Sequence, residues 1–230
     1  MLYRPVLRGS LALTLVWVVG CAQGAHDIVH LDDASQRGGG DDDGTVDAPD
    51  RHPPDDSGGG CNVAMQDLLR NGNFDATPTG TMWTQNPVKA SLPIIVTSST
   101  PAPQSGNTIA WLGGVAQADA NDSLYEEITV PAATTSLVLT GYYWVATQET
   151  SAFAFDLATV ELIKPDGTQI ETIMNLDNTT TTTGWTAIDF TANEDLSGQT
   201  VRLRFSSTND STNVTNFFYD TLAFTATYCR

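Results

Sequence analysis

The sequence predicts an all-β fold, a two-sheet antiparallel β-sandwich, over residues 61–230. Three observations carry that prediction. β-branched and aromatic residues gather in short runs, Thr is abundant (Thr179 to Thr183 is one unbroken stretch), and turn chemistry rather than helical periodicity separates the runs. About nine such runs in this region are what two packed sheets need.

Strands are expected over 92–96, 108–112, 123–130, 136–146, 154–163, 168–174, 184–190, 200–206 and 215–227. Lys164-Pro165-Asp166-Gly167 reads as a tight turn, with proline presetting the first corner and glycine relieving the last, so 154–163 and 168–174 form a hairpin. Val201, Leu203 and Phe205 alternate with Arg202, Arg204 and Ser206, so that strand buries one face and wets the other. Nothing resembles a helix longer than a turn or two, except Val63 to Leu69. The simplest closed arrangement of these strands is a jelly roll.

The front of the chain has a different character. Arg4 and Arg8 precede an apolar run from Leu11 to Val19, too short to span a bilayer, which ends in Val18-Val19-Gly20-Cys21. This resembles the bacterial lipoprotein signal with its lipobox. The resemblance implies a signal peptide over 1–20, cleavage before Cys21, and acyl chains on Cys21 that anchor an exported protein to a membrane. The alternative is an ordinary secretory signal. Ala22 after the cysteine implies the outer membrane if the cell is Gram-negative.

Residues 21–60 then read as a tether. Gly38-Gly39-Gly40, Asp41-Asp42-Asp43 and Gly58-Gly59-Gly60 carry almost no apolar periodicity, and ten Asp in 22–60 face only Arg37 and Arg51. Such a segment buries too little apolar surface to offset its ordering entropy. As a random coil it would span about 35 Å. Its Asp runs lack the spacing of an EF-hand loop, and His26, His30 and His52 are loosely spaced for a metal site.

Cysteine arithmetic follows from export. With Cys21 taken by the anchor, Cys61 and Cys229 remain at the two ends of the folded region, and an oxidising compartment favours a disulfide between them. A reactive thiol pair would want His or Lys beside it, and neither is adjacent.

Leu69-Arg70-Asn71-Gly72-Asn73-Phe74-Asp75 followed by Trp83, Ala110-Trp111-Leu112-Gly113-Gly114, the paired runs Leu124 to Val130 and Leu137 to Val145, Gly198 to Phe205, and Phe217-Phe218-Tyr219-Asp220-Thr221-Leu222 occur in this order along the chain. Together they resemble the bacterial carbohydrate-binding-module-like jelly rolls. The resemblance covers nearly all of 61–230 and implies a jelly roll more firmly than any one ligand. It also implies a structural Ca²⁺ on Asp75 and Asp220, with Asn73 or Asn107 adding an oxygen. The alternative for Asp220 is a bend cap, or a pair with Arg202 or Arg204.

Composition narrows the chemistry. A net charge of −17 and a sequence pI near 4.1 argue against nucleic acid and against charge-driven docking on anionic lipid, so membrane contact is expected through the anchor only. Residues 61–230 hold no histidine, which removes Ser-His-Asp and Cys-His catalysis and His-ligated zinc from that region. Carboxylates such as Glu126, Glu127, Glu149, Asp156 and Glu161 could serve a glycosidase only as a facing pair. Glu126 and Glu127, as strand neighbours, point to opposite faces.

Aromatic rings are the sugar-binding candidates, since a flat ring stacks on the apolar face of a pyranose. Trp83, Tyr142 and Trp144 lead, with Trp111 and Tyr143 beside them and Trp185 as core or edge filler. Tyr142 and Trp144 share one strand face and Tyr143 takes the other, so one set is core. The expectation is a non-catalytic, envelope-anchored lipoprotein that binds glycan or another surface polymer. A structural lipoprotein that binds an envelope protein is the alternative, and an enzyme acting on polysaccharide is the more distant one.

Overall fold

A computed structural model describes residues 60–230. The signal segment, Cys21 and nearly all of the tether lie outside the described residues. The chain forms eleven strands: β1 (Val63–Asp67), β2 (Thr84–Asn86), β3 (Ile95–Thr97), β4 (Thr108–Gly113), β5 (Ala120–Thr129), β6 (Thr134–Thr147), β7 (Leu157–Ile163), β8 (Gln169–Asp177), β9 (Thr186–Thr191), β10 (Thr200–Asn209) and β11 (Thr215–Cys229). They make two antiparallel sheets. One runs β3-β4-β11-β6-β9, with β1 also on β11, and the other runs β2-β5-β10-β7-β8. The fold is the expected β-sandwich.

Period-two burial explains the layers. Val201, Leu203 and Phe205 on β10 are fully buried, while Arg202 and Arg204 are not. The facing sheet supplies Leu137, Leu139 and Val145 from β6 and Phe217, Tyr219 and Phe224 from β11. The Lys164–Gly167 turn closes the β7–β8 hairpin, with Gly167 N–H donating to Lys164 O at 2.9 Å and Gly167 at φ 92°.

β11 organises the larger sheet. β6 pairs along most of one side, while β4 and β1 share the other, at Asn216–Tyr219 and Thr225–Cys229 respectively. Between them β11 bulges at Asp220–Ala223, and the Asn71-Gly72-Asn73-Phe74 turn fills the gap. Leu222 N–H donates to Gly72 O at 2.9 Å, and a Cβ on Gly72 would lie 1.8 Å from Leu222 O, so only glycine fits.

Val63–Leu69 is therefore not helical, which corrects the sequence expectation. An open strand edge offers its backbone partners from Thr225 to Cys229, and Asp67 Oδ1 accepts from Phe224 N–H at 2.9 Å. Cys61 and Cys229 are disulfide-bonded, with Cα atoms 5.1 Å apart, which pins β1 in register. β2, at three residues, carries too little pattern to be read from sequence. β7 begins at Leu157, because Phe153 and Phe155 before it stay exposed rather than pairing.

Candidate functional site

The outward face of the larger sheet carries a row of aromatic side chains. Register places Trp111 of β4 opposite Phe218 of β11, and Phe218 opposite Trp144 of β6. Tyr143 pairs with Thr186, so Trp144 faces Trp185, just ahead of β9. The rings of Trp111 and Phe218 are 5.3 Å apart, and those of Trp144 and Trp185 are 6.0 Å apart at 73°. The row therefore crosses four neighbouring strand positions, about 14 Å at ordinary strand spacing.

Phe218 in the middle is buried by its flanking rings, whereas Trp111, Trp144, Trp185 and Tyr142 are half-buried. Trp111 Nε1–H donates to Asn216 Oδ1 at 2.9 Å, and Asn216 Nδ2 donates to Ala146 O at 3.0 Å. Trp185 Nε1–H donates to Ala102 O at 2.9 Å. With those N–H groups satisfied by the protein, what these two indoles show to solvent is apolar carbon held at a fixed angle.

Tyr142 sits one step along the same face, opposite Asp220, as the strand alternation requires, and Tyr143 packs against the core. Trp185, read as core or edge filler, stands at the β9 edge of the sheet as the end of the row. Trp83 moves the other way. It is buried between Phe74 and Phe205, with ring centroids 5.2 and 6.0 Å away, and its Nε1–H donates to Asn71 O at 2.8 Å. A Trp at that turn plugs the core, so it is not a surface for ligand.

Asp75 and Asp220 converge on one segment, the 98–107 loop that joins β3 to β4. Asp220 Oδ2 accepts from the N–H groups of Gln104 (2.7 Å) and Ser105 (3.0 Å), and its Oδ1 accepts from Thr221 N–H at 2.6 Å. Asp75 Oδ1 accepts from Asn107 N–H (2.9 Å), Thr108 N–H (3.0 Å) and Thr108 Oγ1 (2.6 Å). Burial pushes the Asp220 carboxyl above its ordinary value against these hydrogen bonds, and the Asp75 charge adds to the rise. At Asp75 burial opposes, but the Thr108 hydroxyl and the two backbone N–H groups hold the carboxyl below its usual value.

Calcium takes six to eight oxygen ligands. Three of the four oxygens here already accept N–H or O–H donors, and the fourth, Asp75 Oδ2, faces the Asn73 amide at 3.5 Å. Among the described residues no three His, Cys, Asp or Glu gather as a metal cluster. The donor set does not fit a calcium shell. Nor does Asp220 pair with arginine: Arg202 bonds Glu127 at 3.0 Å and Arg204 bonds Glu161 at 2.7 Å.

The outward face of the smaller sheet is built from those ion pairs, with Arg202 4.6 Å over the Tyr125 ring, and carries no aromatic row. Glu126 points inward, buried, its Oε1 taking Arg70 Nε at 2.8 Å, while Glu127 points out, as expected of strand neighbours. Asp156 is also buried, with its Oδ1 on Asp210 N–H at 2.9 Å.

No protein-family model matches the chain, and no curated protein sequence does. Among solved structures it is similar to TmCBM61, whose structure is in complex with beta-1,4-galactotriose, at 13% identity over 69% of this chain and 97% of that one, with a TM-score of 0.49. It is also similar to the CBM22-1 xylan-binding domain from Paenibacillus barcinonensis Xyn10C (16% identity, 73% and 98% covered, TM-score 0.42). A third is the K3 cleaved adhesin domain of Lys-gingipain from Porphyromonas gingivalis (12% identity, 70% and 99% covered, TM-score 0.44). At these identities the likeness concerns the β-sandwich fold alone.

Proposed function

We propose that residues 61–230 are a non-catalytic binding module whose half-buried rings Trp111, Trp144 and Trp185, with Tyr142 alongside and Phe218 packed between them as support, dock a glycan. The row is the observation that carries this reading. It offers apolar carbon in a strip about as long as a short oligosaccharide, on rigid strands rather than loops. Rings in a row suit a chain of pyranoses lying across the strands, each presenting a C–H face. Hydroxyls at the rim would meet the polar groups of the 98–107 loop.

Four of the five candidate acids support a non-catalytic reading. Glu127 and Glu161 bond arginines, and Glu126 and Asp156 lie inside the sandwich. The chain as a whole reads as an exported protein held to a membrane through Cys21, the outer membrane in a Gram-negative cell, with residues 22–60 as the spacer. Intact mass of the purified mature protein, with Cys21→Ala as control, tests the anchor.

Titration of the protein against a panel of soluble polysaccharides tests the binding. Binding lost on Trp144→Ala is the expected result. Silence across the panel, or binding indifferent to Trp144 and Trp111, would remove the glycan. One observation favours a protein partner instead: Phe153 and Phe155 are exposed with rings 6.4 Å apart, and Leu157 is exposed beside them. Binding of an envelope protein that depends on Phe153 and not on Trp144 would select that reading.

A further inference from the structure

Asp220 is on the outward face of its sheet, two residue pairs along β11 and β6 from the Phe218–Trp144 pair, yet it has no solvent exposure. The 98–107 loop is what covers it. Ser98 N–H donates to Asn107 O at 3.2 Å, closing the loop at its base between β3 and β4. From there the chain crosses the face to the far side, where Ala102 O receives the Trp185 indole, and returns over Asp220. Ser105 Oγ lies 2.8 Å from Thr221 Oγ1, and Thr221 Oγ1 donates to Gln104 Oε1 at 2.6 Å. At the return, Gly106 has φ 61°, and a Cβ there would lie 1.5 Å from Asp75 Oδ2. The loop is thus held at Ala102, Gln104, Ser105, Asn107 and Thr108, and two carboxylates supply most of the hold.

We infer that Asp220 and Asp75 are positioning residues that clasp the 98–107 loop onto the sheet as a fixed wall beside the aromatic row, with backbone amides occupying the carboxylates in place of a metal ion. The clasp is therefore calcium-independent, and Asp220 acts on ligand through the loop rather than by touching it. The part that concerns ligand rests on the row being the binding face. The clasp itself does not. Asp220 Oδ2 accepts two donors and Asp75 Oδ1 three, which uses the lone pairs that these two oxygens would lend a cation, and each charge-assisted bond is stronger than a neutral one. Ordering the loop beforehand removes an entropic cost from binding.

Three measurements on the full chain test this. Thermal unfolding in EDTA and in millimolar CaCl₂ should give the same midpoint. A midpoint that drops in EDTA and recovers with Ca²⁺ overturns the inference. Amide hydrogen exchange on Asp220→Asn should show Gln104 and Ser105 exchanging at least tenfold faster with the β10 amides unchanged, and Asp75→Asn should do the same at Asn107 and Thr108. Unchanged exchange at these amides overturns the clasp. If Asp220→Asn fails to fold, Asp75→Asn, at a half-buried position, carries the test alone. For a polysaccharide the wild type binds, the variant that loosens the loop should weaken affinity about fivefold with its unfolding midpoint still well above the assay temperature. A loosened loop with unaltered affinity overturns the wall. Should no polysaccharide bind the wild type, the glycan reading fails, and the wall with it, while exchange and calcium response still decide the clasp.

Discussion

Trp144 and Trp185 meet edge to face on adjacent strand positions, ring centroids 6.0 Å apart, on the outward side of the sheet whose inward side holds Tyr143 and Ile188. One tryptophan on a sheet face is ordinary. Two in cross-strand register, continued by Phe218 and Trp111, form a surface that the fold does not need for its core.

That distinction separates two substitutions of the same residue type. Trp144→Ala removes a half-buried ring and should leave the protein folded while weakening glycan binding more than tenfold, about 1.4 kcal/mol. Trp83→Ala opens a cavity between Phe74 and Phe205 and should cost about 3–5 kcal/mol of stability. Thermal unfolding alongside calorimetric titration distinguishes them. Equal loss of stability in both would place Trp144 in the core.

Tyr219 presents an unusual opportunity. Its ring is fully buried, 4.7 Å from Phe205, and its hydroxyl has no hydrogen-bond partner. Burial drives its pKa well above the ordinary tyrosine value. Tyr219→Phe keeps the packing and removes a desolvated polar group, so it should raise stability by about 1 kcal/mol, or about 2–4 °C in midpoint. A fall would mean that the hydroxyl is satisfied in solution.

The disulfide closes nearly the whole domain, with Cys61 and Cys229 separated by 168 residues. In the chain-entropy model a loop of that size contributes about 5 kcal/mol through the unfolded state. Paired Cys61→Ser and Cys229→Ser substitutions should lower the denaturant midpoint and speed exchange in β1 first. An unchanged midpoint would show that the pairing of β1 with β11 suffices alone.

Glu126 should give the fold a pH signature. Burial raises its carboxyl above the ordinary value of 4.5, against the opposing hydrogen bonds and charge of Arg70. A raised acid binds its proton more tightly in the folded state. Stability from this group is therefore greatest at low pH and declines as pH climbs from 4.5 through the folded value. Glu126→Gln removes that decline, so the midpoint of the variant minus that of the wild type should grow with pH across this window and then level off. A difference that is flat with pH would contradict the assignment.

Much of the scaffold was legible in the chain because it is local chemistry. Alternation at Val201 to Ser206 announced β10, and Pro165 and Gly167 announced the hairpin. Tyr142 and Trp144 were separable from Tyr143 because side chains on a strand alternate whatever the partners are. β1 was missed because Val63 and Met65 are exposed and an edge strand leaves no buried stripe to read. Trp83 was misplaced because a turn residue has no period to reveal which way it points.

The sequence by itself determined the two sheets, the pairing of the terminal cysteines and the alternation that puts Tyr142 and Trp144 on one face. Each follows from neighbours in the chain or from chain-wide composition. The tertiary structure alone decided that Trp111, Phe218, Trp144 and Trp185 stand in one row, and that Asp75 and Asp220 accept hydrogen bonds from one loop. Those relations join residues as far as 116 positions apart, and they depend on strand register and on which backbone N–H groups a distant loop presents. No pattern along the chain encodes either.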